Sequence, residues 1–448
     1  MSGLTEFPPS SVVRRWAADL SGQVVLPDDP RYDDLRRVWN RAIDRRPAAI
    51  VRCATRDDAI RTIEFARSHH LPLAVRSGGH SQAGLGVRDR GVVLDLADLR
   101  TVDVHVERRL ARVGGGAHAG HVLEACNAYG LVTPMGGCPD VGVGGLTLGG
   151  GSNFLMAKYG MVCDNVLAVE LITADGRLLR VSADEHPDLF WAIRGGGGNF
   201  GVAVSFEYQL FPIVEVLSGQ FLFPIARARE VMHRYRDLMT DLPDELTTSG
   251  GLSATADHRA FFIAVCASAD RTASERVLER WRTTLDPAED NVKWAPYAGE
   301  LVVDPAPSAG SGRFLPELSD DVIDVLAEAM ADAPRIATAA WNDFHGAVTR
   351  VPVAATAFPL RRRGYDFFAH AAWQDDAGRA AARGWIDRLV SALEPFGAGA
   401  YVNNLNETEA ARVPEAYGPN YARLAEIKAR YDPDNVFDGN HNIPPATR

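Results

Sequence analysis

Disulfides, metals, membranes and nucleic acids all find little to work with in this sequence. Five cysteines in 448 residues (Cys53, Cys126, Cys138, Cys163 and Cys266) are few, odd in number and scattered. That fits a reducing compartment rather than a disulfide framework. There is no Cys-x-x-Cys pair and no His-Glu-x-x-His motif, so no zinc site is expected. No apolar run reaches the ~20 residues a membrane-spanning helix needs. Lysine and arginine total 47 against 58 aspartates and glutamates, a formal net charge of −11, which argues against nucleic acid as the main partner. The N-terminal stretch "MSGLTEFPPSSVVRRWAADL" lacks the basic start and apolar segment of a secretory signal, so the expected location is the cytoplasm. No Gly-Lys-Ser or Gly-Lys-Thr follows a glycine loop, and a P-loop nucleotide site is therefore unsupported.

What remains is an ordinary globular composition, 46% hydrophobic and 23% charged, on a chain too long for one core. Two or three domains are expected. Residues 49–95 read as strand–helix–strand: "AIVRC" is β-prone, Thr55 caps a helix with acidic residues in its first turn, and Ala59, Ile63 and Ala66 recur at helical spacing. "LPLAVR" and "GVVLDL" supply further strands. A second α/β piece, roughly 110–212, contains "VLAVELITADGRLLRV", two strands joined by an Asp-Gly turn. After "YQLFPI" the pattern changes to amphipathic helices such as "ASERVLERWRTTL" and "AARGWIDRLVSAL" alternating with strands such as "RAFFIAVCASA" and "DFFAHAAW". The tail helix "NYARLAEIKARY" aligns Leu424, Ile427 and Tyr431 and stops at Asp432-Pro433.

Glycine is the conspicuous presence. Four loops concentrate it: "RSGGHS", "GGGAHAG", "GGCPDVGVGGLTLGGG" and "RGGGGNFG". The last contains Gly196-x-Gly198-x-x-Gly201, a formal dinucleotide fingerprint, but a helical pattern precedes it and a strand follows, the reverse of the required order. A Rossmann nicotinamide site is rejected on that ground. Any one loop could be a simple turn. Together they suit a long phosphate-bearing ligand, because glycine lets backbone N–H groups approach an anion closely. His118 and His121 stand three apart, and with no third ligand nearby no metal is expected.

"VRSGGHS", "GGCPDVGVGGLTLGGG", "FWAIRGGGGNFGVAVSFEYQL" and the tail "YGPNYARLAEIKARYDPDNVFDGNHNIPP" together resemble the berberine-bridge-enzyme-like FAD-linked oxidases, of the vanillyl-alcohol-oxidase type with a PCMH-type FAD-binding domain. The resemblance runs from about residue 45 to the end and is weakest between 216 and 335. It implies an α+β fold: an FAD-binding domain of two α/β subdomains over residues 1–215, and a substrate domain over 216–398 with an antiparallel sheet backed by helices. Residues 399–448 would return to the FAD-binding domain. By position, FAD falls to Arg76, Ser77, Gly78, Gly79, His80, Ser81 and Gln82 of the first loop and to Gly136, Cys138, Val141, Gly142 and Gly145 of the third. Gly201, Val202, Asn403, Asn440 and Asn442 complete the set. In doubly linked family members the histidine joins the flavin's 8α carbon and the cysteine its C6. Here these are His80 and Cys138.

The resemblance also implies hydride transfer from a substrate C–H to the flavin, then reduction of O2 to hydrogen peroxide, with the protein supplying orientation and a base. The base, or its partner, is expected on an inward strand with a Tyr-x-Asn-Tyr pattern. This chain reads "AYVNNLN", so Tyr401 and Asn403 match while Asn404 replaces the second tyrosine. Leu146 stands where plant members often carry a histidine, and Val141 occupies the position tied to oxygen access. In "YDFFAHAAW" and the glutamine after it, either Phe368, His370 and Gln374 or Phe367 and Trp373 face the flavin. The substrate is a small molecule: a sugar, another alcohol or a natural product. Three alternatives stand beside the oxidase: a non-catalytic flavin carrier, a dehydrogenase with another acceptor, and an N-heterocyclic amine oxidase resembling 6-hydroxy-D-nicotine oxidase. The last is expected to carry only the histidyl link, so Cys138 weighs against it. The oligomeric state is not legible.

Overall fold

The computed structural model describes residues 7–255, 258–298 and 304–447; the first six residues of the N-terminal stretch lie outside them. Three sheets carry the architecture. The first has strands in the order Gln23–Val25, Ala49–Arg52, Val92–Asp95, Leu73–Arg76, the last three parallel. Parallel pairing needs a crossover, and the helix Arg56–Ser68 provides it. Its start is fixed twice: the Thr55 hydroxyl accepts from the Asp58 N–H at 3.2 Å, and the Asp58 carboxylate accepts from the Thr55 N–H at 2.9 Å. This is a reciprocal capping box, stronger than the single cap that the sequence suggested.

The second sheet is antiparallel, in the order Val102–His105, Leu110–Gly114, Val202–Gln209, Val166–Ile172, Leu178–Ser182. Its last two strands form the expected hairpin, with Leu171 opposite Leu179. The third sheet is also antiparallel and built from residues 216–372. Its centre runs Arg259–Ala267, Leu246–Ala254, Ile336–Phe344 and Gly364–Ala372, with Ser308–Leu315 at the edge. Helices Ala228–Leu238, Arg271–Leu285, Asp320–Ala329 and Asp376–Leu393 cover one face with a core that includes Trp281, Trp341, Trp385 and Phe367.

Strand alternation decides which residues face the other way. Phe367, Ala369, Ala371 and Trp373 belong to the helix-side core, so Asp366, Phe368 and His370 lie on the opposite face. Gln374 falls beyond the strand and is exposed. Of the two sets expected in the 367–374 stretch, Phe367 and Trp373 lie in the helix-side core, Phe368 and His370 share the opposite face, and Gln374 stands outside the strand.

Two local expectations are corrected. "AYVNNLN" is not an inward strand: Val402–Asn404 form a 3₁₀ turn closed by the Asn404 N–H on the Tyr401 carbonyl at 2.9 Å. Consecutive asparagines favour such turns because their amides find partners that a strand ladder would not supply. Within the third glycine loop, Val143–Leu148 form a short helix with Gly142 as its N-cap.

The tail helix Tyr421–Tyr431 buries Leu424 and Ile427 as its spacing predicts, and it buries Lys428 completely as well. The Lys428 ammonium donates to the Asp432 carboxylate at 2.6 Å and to the Asn199 carbonyl at 2.7 Å. Asp432 in turn accepts the N–H groups of Val436 and Phe437. The tail is thus stitched to the "RGGGGNFG" turn, where Asn440 also donates to the Gly198 carbonyl at 2.8 Å. Removing one member of a buried ion pair leaves the other unpaired and costs about 3–5 kcal/mol. Lys428→Met should therefore lower the melting temperature clearly. Arg430→Ala, which loses only a surface pair with Asp188, should cost under ~1 kcal/mol. Thermal unfolding of the two variants compares them directly.

Candidate functional site

The first and third glycine loops meet backbone to backbone. A Cβ on Gly142 would lie 2.1 Å from the Gly78 nitrogen, and one on Gly78 would lie 2.5 Å from the Gly142 nitrogen. No side chain fits between them. Ser77 ties the second loop to the same point: its hydroxyl donates to the Gly115 carbonyl at 2.7 Å and accepts from the Gly144 N–H at 3.3 Å. Gly79 then turns at φ +68°, a left-handed conformation that glycine adopts without strain, and His80 follows directly.

These loops, the "RGGGGNFG" turn and the C-terminal segment enclose a cleft with about 1330 Å³ of empty space, part of it open to solvent. Arg76, Ser77, Gly78, Gly79, His80 and Ser81 line it from the first loop, and Val141, Gly142 and Gly145 from the third. Gly201, Tyr401, Asn403 and Asn440 line it too. The structure does not bring Gln82, Gly136, Cys138, Val202 and Asn442 into that lining. Gln82 lies over Gly310 of the third sheet. Val202 turns its side chain wholly into a core, because it opens a strand whose alternate residues pack inward. Cys138 is half-buried two residues from Asp140. Gly136 packs under Leu146, which itself reaches the cleft. Asn442 has a buried amide oxygen without a partner among the described residues.

Arg76 is nearly fully buried and donates to Asp95 at 2.7 Å, while its other terminal nitrogen has no partner among the described residues. The His80 ring stacks on Trp39 with centroids 4.5 Å apart. Its Nε2 is likewise without a hydrogen bond and lies 3.5 Å from Asp140. Burial lowers the His80 pKa despite that carboxylate, so the imidazole is neutral at pH 7. The Cys138 thiol is pushed up to about 11, by burial first and by Asp140 second.

On the facing strand, Asp366 is 1% exposed, and its pKa is raised by burial to about 8. Its two oxygens accept from the Asn404 amide at 3.0 and 3.2 Å. His370 is held neutral by burial, its pKa lowered to about 4. The Tyr401 hydroxyl accepts from the Gly151 N–H and the Asn403 amide, both at 2.8 Å. Burial nevertheless raises its pKa above the ordinary phenol value, and Asp366 adds to the rise.

Sequence reasoning missed Asp366. Period-2 alternation through Phe368 and His370 would have exposed it, had the count begun two residues earlier. Trp39 and Asn199 gave no such signal, since one sits in an irregular segment and the other in a single 3₁₀ turn, with partners from elsewhere in the chain. Among the described residues no three His, Cys, Asp or Glu side chains stand close enough to hold a metal ion. Nor, among the described residues, is any helix long and apolar enough to cross a membrane.

Residues 47–182 match the family model described as "FAD binding domain", and residues 400–444 match "Berberine and berberine like". The (R)-6-hydroxynicotine oxidase of Paenarthrobacter nicotinovorans is 31% identical, covering 95% of this chain and 97% of its own. The xylooligosaccharide oxidase of Thermothelomyces thermophilus is 28% identical over 91% and 89%. Among solved structures, 6-hydroxy-D-nicotine oxidase from Arthrobacter nicotinovorans superposes with a TM-score of 0.86 at 27% identity, over 95% and 98% of the two chains. Fold and site thus define a flavin-dependent oxidoreductase, and the cleft fits FAD: bare backbone for a pyrophosphate, an unpaired guanidinium nitrogen for its charge, and a neutral histidine at the rim. The chain belongs to the berberine-bridge-enzyme-like family of FAD-linked oxidoreductases.

The glycine contact makes a direct expectation. Overpacking typically costs about 1–3 kcal/mol, and 1.4 kcal/mol is tenfold in affinity. Gly142→Ala, which forces the two loops apart, should therefore purify with a clearly substoichiometric ratio of flavin to protein absorbance. Its circular dichroism should remain that of the wild type.

Proposed function

We propose that this enzyme holds FAD through covalent links from His80 and Cys138, removes a hydride from a C–H bond of an alcohol, sugar or natural product, and returns the electrons to O2 as hydrogen peroxide. In this reading residues 1–215 and 399–448 hold the flavin, and residues 216–398 shape the substrate side. The observation that carries it is the buried Asp366 carboxyl, on the strand face away from the helices and held, among the described residues, by the amide of Asn404, the neighbour of the cleft-lining Asn403. When bound, FAD supplies the hydride acceptor. The chain's own residues supply the proton path. Asp366, ionised, accepts the proton that the substrate hydroxyl releases, and the Asn404 amide fixes the carboxylate while that happens.

Tyr401 was the expected base. Its hydroxyl is occupied by two donors and its ionisation is opposed by burial and by Asp366, so Tyr401 is better suited to hold the Gly151 turn and Asn403 in place. Val141 lines the cleft, and a small β-branched side chain there leaves room for O2. On the faces of strands Gly364–Ala372 and Ile336–Phe344 turned away from the helices the side chains are Asp366, Phe368 and His370, and Thr338, Ala340 and Asn342. None is cationic, so an acidic substrate is disfavoured and a neutral, hydroxyl-bearing one is preferred. A second reading, an amine substrate, is favoured by the same carboxylate, which could pair with an ammonium, and by the 31% identity to (R)-6-hydroxynicotine oxidase. The free thiols of the described cysteines suit a reducing compartment, and the cytoplasm is the location proposed.

The test is the anaerobic half-reaction, followed by flavin bleaching with a panel of sugars, other alcohols and amines. A base with a pKa of about 8 must be ionised to act, so the reduction rate should climb as pH rises through about 8 and then level. Asp366→Asn should abolish that rise and slow reduction by on the order of 10²–10⁴-fold, with Tyr401→Phe much milder. A pH profile unchanged in Asp366→Asn would move the base elsewhere.

A further inference from the structure

The turn that carries Cys138 also carries Asp140, for which the reaction has no use. The turn is held rigidly: the Val141 N–H donates to the Cys138 carbonyl at 3.3 Å, and Ala119 and Gly120 donate to the Val141 and Pro139 carbonyls at 2.9 and 2.8 Å. Helix Ala119–Asn127 starts at this point. Asp140 is consequently fixed with its Oδ1 3.5 Å from the His80 Nε2, across the seam between the two glycine loops. Its side chain is 49% exposed against 19% for His80, so a proton it takes up passes freely to water. On the other side the His80 ring is backed by Trp39. His118, which feels both His80 and Asp140, is the other titratable neighbour.

We propose that Asp140 is the proton acceptor for flavin attachment at His80: it takes the Nε2 proton as Nδ1 bonds to the flavin's 8α carbon. This rests on the covalent reading given above. In this proposal the neutral ring keeps its proton on Nε2, the nitrogen 3.5 Å from the carboxylate, and Nδ1 is the nucleophile. One C–H bond breaks at the 8α carbon and one C–N bond forms. Two protons leave, one from that carbon and one from Nε2, and the flavin ring keeps the electron pair. Oxygen, the acceptor of the oxidase reaction, takes up the pair and both protons as hydrogen peroxide.

Asp140 acts oppositely on the second tether. A thiolate, not a thiol, is the attacking form of cysteine, and the negative charge two residues away opposes ionisation of a thiol that burial already holds at about 11. One carboxylate therefore promotes the histidyl bond and retards the cysteinyl bond. A merely structural residue would move both in the same direction.

The experiment uses full-length protein made in flavin-depleted cells, mixed with FAD and sampled over time, with peptide mass spectrometry of the His80 and Cys138 segments. Asp140→Asn, similar in shape, should slow the His80 adduct by roughly 10²-fold, the low end of what a positioned base contributes. The Cys138 adduct should form as fast as in wild type or faster. Asp140→Glu, which restores the carboxylate, should recover most of the His80 rate, and it serves also if the asparagine variant folds poorly. Equal rates in wild type and Asp140→Asn, or equal slowing of both adducts, overturns the proposal. No flavin on His80 in the wild type overturns the covalent reading itself, and the role of Asp140 with it.

Discussion

Gly78 and Gly142 touch through their backbones, and the site depends on that contact. It lets a loop from the parallel sheet and a loop from the antiparallel sheet share one seam. His80 emerges on one side of the seam and Cys138 with Asp140 on the other. Any larger residue at either glycine would separate the loops by the width of a methyl group, and with them the walls of the cleft that both loops line. The fold around the contact is arranged to keep it. Ser77 bridges to a third loop, helix Ala119–Asn127 pins the turn from outside, and the tail fastens the fourth glycine turn through Lys428 and Asn440.

Charge is sparse inside the site and well placed. Arg76 is paired with Asp95 on one side only, so it keeps a donor for an anion. His80 and His370 are kept neutral by burial, which leaves each with a free lone pair near pH 7. Asp366 sits on the boundary between acid and base because burial raises its pKa while a single amide holds it down. A group whose environment pushes it toward neutrality is the kind of group enzymes use to move protons. The same logic demotes Tyr401: a phenol that must lose its proton in a dry pocket, beside a carboxylate, is better at accepting hydrogen bonds than at taking protons.

Much of the fold is legible in the sequence. Periodic apolar residues gave the capped helix, the Asp-Gly hairpin and the tail helix, because those elements are decided locally. The glycine loops pointed to a long phosphate-bearing ligand, because bare backbone can approach an anion closely, and FAD followed from the family resemblance that the same loops carry. What escaped was decided by partners far away in the chain. Asn404 leaves the strand pattern because Asp366, 38 residues earlier, takes its amide. Lys428 is buried in an otherwise ordinary amphipathic helix because Asn199, 229 residues earlier, offers a carbonyl. Asp140 reads as a loop carboxylate until His80 is seen across the seam.

The proposed function turns on a flavin held at that seam by bonds as well as by contacts. The most direct test is the intact mass of the purified wild-type chain after full denaturation in acid. The expected result is one species heavier than the polypeptide by one FAD, because unfolding destroys every loop contact and leaves only covalent attachment. A spectrum showing the bare polypeptide mass, with all flavin in the supernatant, would contradict the account at its centre.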